Sequence, residues 1–183
     1  AMTIKSRHDP THLYFVTATV QGWKQLFAEP AYAQIVIQSL AWHRCHGRWL
    51  LFAFVLMPDH AHFIVKPLEA RTITGVLQSF GSYTAHAIVD QLREDRRSDL
   101  MVFFAQRWDR DAGKDHQIWL PLEAKNVYSV EFLRQKVDYI HNNPVAKRWR
   151  LVDDRADYVY SSACFYDQGV SPIIAVDDVG EWM

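Results

Sequence analysis

A chain of 183 residues that is 49% hydrophobic, with only seven glycines and seven prolines, is long enough for one packed domain and too apolar for a disordered one. Its formal net charge of −1 supplies no global field that would mark a nucleic-acid or membrane-surface protein, so partner choice has to come from local clusters. Two widely separated cysteines, Cys45 and Cys164, exclude a cysteine-rich zinc module and suit a reducing cytoplasm, and no apolar run reaches the roughly eighteen residues of a membrane span.

The segment from Leu13 to Val20 is rich in β-branched and aromatic residues and predicts the first strand. Pro30 suits the first turn of a helix, and Tyr32, Ile35, Val36 and Leu40 then recur at helical spacing, predicting a helix from about Ala31 to His46 that ends near Gly47. Trp49 to Leu56 and His60 to Lys66 read as a hairpin about the corner Met57-Pro58-Asp59. After Thr72 the residues Ile73, Val76, Leu77, Phe80, Thr84, Ala87, Ile88 and Leu92 hold one face of a long helix, which frays into the charged run Arg93 to Arg97.

From Asp99 to Lys114 no period is sustained, and a loop with a short strand about Met101 to Ala105 is expected, followed by a short strand at Gln117 to Leu120. Ser129 caps a last helix with Val130, Leu133, Val137 and Ile140 toward the core, stopping near Asn143 because Pro144 biases its predecessor away from helix. Residues 1–183 therefore form a single domain, with an N-terminal arm over about 1–12 and an irregular C-terminal extension over about 145–183. The element order predicts an α+β fold: a ferredoxin-like antiparallel sheet (split βαβ) with helices on one face.

In a strand, His60 and His62 project together while Ala61 faces the opposite way, so the triplet supplies half of a metal site. Nine histidines in this length give ~0.4 such pairs by chance, so two ordinary strand histidines are an equally good explanation taken alone. Tyr139 and Asn143 lie one turn apart on the last helix, on a face offset from its apolar stripe. An amphipathic tyrosine at a helix edge is the bland alternative.

Four segments occur in order: Met57-Pro58-Asp59-His60-Ala61-His62, Asp115-His116-Gln117-Ile118, Tyr139-Ile140-His141-Asn142-Asn143-Pro144-Val145 and Tyr160-Ser161-Ser162-Ala163. Together they resemble the successive motifs of single-tyrosine HUH transposases, most closely the REP-associated tyrosine transposase (RAYT) branch. The resemblance runs from about Leu13 to Tyr166. It implies an HUH endonuclease fold in which His60, His62 and Asn143 hold a divalent cation, while Tyr139 is the catalytic nucleophile attacking single-stranded DNA. The expected product is a 5′-phosphotyrosine link and a free 3′-hydroxyl, which a second DNA end reverses without ATP. Imidazoles plus an amide oxygen suit Mg²⁺ or Mn²⁺, with zinc left open by ligand type alone.

Asp59 stands where the resemblance leads one to expect asparagine; with His116 and His141 it is a possible second-shell residue, a structural role being the commoner one for the two histidines. DNA binding requires a basic surface, and Arg134, Lys136, Lys147, Arg148 and Arg150 offer one, with Trp149 as a stacking platform; a solvated helix end is the bland equivalent. The expected partner is single-stranded DNA with hairpins, met by a monomer or homodimer in a bacterial cytoplasm, near the nucleoid and with no membrane. The low net charge and Asp59 keep a second class open, a domesticated hairpin-DNA-binding protein without cleavage activity. A metalloenzyme unrelated to nucleic acid is poorly served, since no carboxylate or cysteine stands at a motif spacing from the histidines. The acidic tail Asp177, Asp178 and Glu181 is a conceivable gate over a DNA groove.

Overall fold

The computed structural model describes residues 12–68, 70–105 and 116–182. Four strands, β1 (Leu13–Thr19), β2 (Trp49–Leu56), β3 (His60–Pro67) and β4 (Glu123–Val127), form one sheet in the order β2-β3-β1-β4. Every neighbouring pair is antiparallel. With helices α1 (Pro30–Cys45) between β1 and β2 and α2 (Ile73–Glu94) between β3 and β4, this is the expected split βαβ arrangement.

The helices do not share one face, which corrects the sequence-based expectation. The apolar residues of α1 and α2 pack with Tyr14, Val16 and Ala18 of β1 on one side, whereas α4 (Val130–Asn142) sends Leu133, Val137 and Ile140 against Leu13, Phe15 and Ile64 on the other. Strand alternation makes this possible: β1 and β3 are apolar on both faces over most of their length, so each face needs a cover. The face under α4 is the one that carries Phe15, Thr17, His60 and His62.

Two further expectations fail locally. The apolar run expected as a strand about Met101 to Ala105 is part of a helix, α3 (Ser98–Ala105), because Leu100 and Phe104, one turn apart, are the residues that reach the core. Its Phe103 closes on Gly22, where a Cβ would meet the ring at 2.5 Å and where φ is +66°. Around Gln117 to Leu120 there is only an isolated bridge from Trp119 to Val20; the fourth strand is the later Glu123-Ala124-Lys125-Asn126-Val127. Residues 1–11 of the expected N-terminal arm and the loop after Ala105, through 115, lie outside the described residues.

The C-terminal extension, expected to be irregular, contains a short helix, α5 (Ala163–Gln168). It runs along the free edge of β2 and satisfies backbone groups that would otherwise be exposed there. Leu56 N–H donates to Tyr160 O (2.8 Å), Ser162 N–H to Phe54 O (3.0 Å) and the Tyr166 hydroxyl to Phe52 O (2.7 Å). At the bulge between Leu51 and Ala53, Asp177 accepts from Leu51 N–H (2.9 Å) and from both Nε and Nη2 of Arg44 (3.0 and 2.7 Å). Asp178 accepts from Gly180 N–H (2.7 Å). The expected gate is therefore corrected: Asp177 is a clasp on the sheet edge, already paired. Both cysteines are free thiols.

Candidate active site

The corner between β2 and β3 is held from three sides, with Met57 N–H donating to His60 O (2.7 Å), Phe27 N–H to Pro58 O (2.9 Å) and Val20 N–H to Asp59 O (2.9 Å). That grip fixes where β3 begins and hence where both imidazoles point. His60 Nδ1–H donates to Oδ1 of Asp59, which is only 2% exposed. His62 Nδ1 sits 3.1 Å from the hydroxyl oxygen of Thr17, its cross-strand partner on β1. With each Nδ1 engaged, each Nε2 is left as the nitrogen free to act.

His62 is nearly buried and stacks on Phe15, ring centroids 5.2 Å apart. Burial first, then the positive potential of His60 and Lys136, pushes its pKa down to about 3, so the imidazole is neutral at any ordinary pH. A neutral imidazole with its second nitrogen pinned is the form a divalent metal takes as ligand.

Helix α4 brings Tyr139 over this pair. Its apolar stripe faces the sheet, which turns the Tyr139 ring outward, 48% exposed, so that the hydroxyl is 3.4 Å from His62 Nε2 of the same chain. The ring lies edge-on to both His62 and Phe15. Asn143 caps the helix and donates its amide N–H to Tyr139 O (2.8 Å), which leaves Oδ1 without a partner among the described residues. Lys136, one turn before Tyr139, holds its ammonium 5.3 Å from the Tyr139 ring centre and 4.8 Å from that of Phe15.

These elements have the arrangement of a known structure. Over 98% of its length the chain superposes on a REP-associated tyrosine transposase solved bound to a REP hairpin, covering 93% of that chain at 19% identity with a TM-score of 0.65. The two share a fold. A candidate transposase of Deinococcus radiodurans R1 aligns more loosely, at 14% identity over 71% of this chain and 88% of that one, with a TM-score of 0.47. No protein-family model and no curated protein sequence matches the chain.

Within this fold the expected site residues divide cleanly. His60, His62, Tyr139 and Lys136 converge, and Asp59 stands directly behind His60. Trp149 lies beside His60 at 6.1 Å between ring centres, and Arg148 reaches to 3.8 Å from Asp59. Arg134, Lys147 and Arg150 are exposed. Arg134, five residues before Tyr139, is turned about 140° round the helix from it. His141 points the other way, 1% exposed, with Nε2 2.9 Å from Ser162 Oγ. His116 adjoins Gln117, whose N–H donates to Phe104 O on the α1/α2 side of the sheet; Asp115 lies outside the described residues. Thr17 and Phe15 were not singled out by the sequence: only the β1–β3 register puts them beside His62, and an early strand carries no mark of its partner.

Among the described residues no cluster of three His, Cys, Asp or Glu side chains is arranged to hold a metal. The side chains that could hold a cation are His60 and His62, through Nε2, and Asn143, through Oδ1, a donor set that would suit an ion keeping water in its shell. No helix of the described residues is long and apolar enough to cross a membrane.

Proposed function

We propose that this protein is a tyrosine nuclease and strand transferase that cleaves single-stranded DNA beside a hairpin and rejoins it, in the manner of DNA transposition. The observation that carries the reading is the Tyr139 hydroxyl 3.4 Å from Nε2 of a neutral, preorganised His62. Thr17 and Asp59 set the imidazole orientations, and α4 presents the phenol on a rigid element.

His60, His62 and Asn143 would hold a Mg²⁺ or Mn²⁺, which would supply Lewis acidity toward a phosphodiester oxygen. The Tyr139 oxygen attacks phosphorus, the P–O3′ bond breaks, and the phenolic proton ends on the departing 3′-hydroxyl. The protein keeps a 5′-phosphotyrosine ester of nearly the same energy as the bond broken. A second 3′-hydroxyl therefore reverses the step without an energy source. Lys136 and Arg148 flank the site from two sides and offset phosphate charge on the bound strand.

The test is incubation with hairpin-bearing single strands and Mn²⁺, read on a denaturing gel. A slow-migrating protein–DNA adduct is expected, absent without metal and absent in Tyr139→Phe. An adduct that persists in Tyr139→Phe overturns the nucleophile assignment. The net charge of −1 and the carboxylate of Asp59 beside His60 motivate a second reading, a hairpin-DNA-binding protein without cleavage activity. Tight, metal-independent hairpin binding with no adduct under any divalent ion distinguishes it.

A further inference from the structure

Between Tyr139 and the far end of β4 the surface changes character. Tyr128, in the turn before α4, is 78% exposed, and its ring lies nearly parallel to that of Phe132, 4.8 Å away and 12° off plane. The Lys136 ammonium then sits 5.1 Å from the Phe132 ring centre, within reach of Phe15 and Tyr139 as well. Lys136 has no carboxylate partner among the described residues. On the neighbouring edge strand, Lys125 of β4 is exposed and pairs in register with Phe15, which places it on the sheet face that α4 covers.

An exposed ring stacked on a second ring is a platform with one face taken and one face open. Two lysines beside it make that platform attractive to an anion bearing flat bases. Stacking serves any base, and lysine serves any phosphate, so the combination recognises a single strand by its chemistry and not by sequence. The track is continuous with the nucleophile: from Tyr128 to Tyr139 the chain spans about 16 Å at helical rise, or about four to five nucleotides of one strand.

We propose that the unpaired strand reaches Tyr139 along the groove between α4 and β4, with one base stacked on the open face of Tyr128 and the intervening phosphates held by Lys125 and Lys136. This rests on the single-stranded DNA reading of Tyr139, but it assigns a binding track that the chemistry itself does not require.

The experiment uses the Tyr139→Phe protein, which cannot cleave, and a hairpin strand carrying single 2-aminopurine substitutions through its unpaired flank. Stacking on Tyr128 quenches one position about four to five nucleotides from the scissile phosphate. Adding Tyr128→Ala is expected to abolish that quench and weaken binding about tenfold, whereas Tyr128→Phe retains both. Lys136→Gln is expected to lower the salt dependence of binding by about one phosphate contact. If Tyr128→Ala binds and quenches like its parent, the track is wrong while the tyrosine chemistry stands. If Tyr128→Ala weakens binding but wild-type protein forms no adduct, the track stands and the nuclease reading falls. A protein that binds no single strand overturns both.

Discussion

His141 Nε2 and Ser162 Oγ are 2.9 Å apart in the interior, and the same serine accepts from Phe54 N–H at 3.0 Å. One hydroxyl thus joins α4, β2 and the C-terminal extension, and two of the four sequence motifs meet at it. Because His141 is two residues from Tyr139, this contact fixes the helix from its buried side while Tyr139 stands on the exposed side. Arg155 repeats the tie at the surface, bonding Asp167 twice at 2.7 Å and reaching Asp138 and Asn142 at 3.3 Å.

Ser162→Ala leaves both the His141 ring nitrogen and the Phe54 N–H buried without a partner. A loss of about 2–4 kcal/mol is expected from two such groups, measurable as a lowered urea midpoint with unchanged slope. A midpoint within error of wild type would show that α4 is held by packing alone.

Acid should weaken the fold below neutrality. Burial, then the charge of Arg155, lowers the His141 pKa to about 4, against about 6.5 in an unfolded chain. The folded state therefore resists a proton that the unfolded state takes up. Stability from this group is complete above about pH 6.5 and is lost as pH falls toward 4, amounting to about 2 kcal/mol at pH 5. His62, lowered to about 3, adds a loss of the same sign that begins at the same pH and continues down to about pH 3. Urea titrations at pH 7.5 and pH 5 read the difference, and equal midpoints would contradict it.

The framework was legible because its signals were strong. Apolar period marked α2 and α4, and the Pro58-Asp59 corner marked the β2–β3 hairpin. What stayed hidden lacked a local signal. β4 is built of Glu123, Ala124, Lys125 and Asn126 before Val127, residue types that strands otherwise avoid, and it is a strand because β1 offers an edge. The α3 run was too short and too apolar for its period to show. Helices on both faces follow from β1 and β3 being apolar on both faces, information that is present in the residues but reads equally as a buried strand under one layer. His60, His62 and Tyr139, which the structure brings together, are singled out by their motifs, whereas Thr17 beside them needed the register.

Thr17→Val removes the oxygen beside His62 Nδ1 while keeping shape. Weaker orientation of the imidazole is expected to reduce Mn²⁺ affinity about 10–100-fold with little change in melting temperature. Mn²⁺ titration followed by electron paramagnetic resonance measures it; unchanged affinity would remove Thr17 from the site. Asp59→Ala behind His60 is expected to act in the same direction.

Asp177→Ala breaks the clasp among Arg44, Leu51 and the tail. Stability is expected to fall by about 1–3 kcal/mol, and hairpin affinity to stay at the wild-type value. A rise in DNA affinity without loss of stability would restore the tail as a gate.

The most direct measurement is the mass of the DNA-linked peptide. After reaction with a hairpin-bearing strand and Mn²⁺, the adduct is digested with protease and nuclease and fragmented by mass spectrometry. The expected result is a nucleotide phosphate carried on Tyr139 and on no other residue. A phosphate on a different side chain, or DNA cut with no covalent peptide, would contradict the assignment of Tyr139 as the nucleophile over His60 and His62.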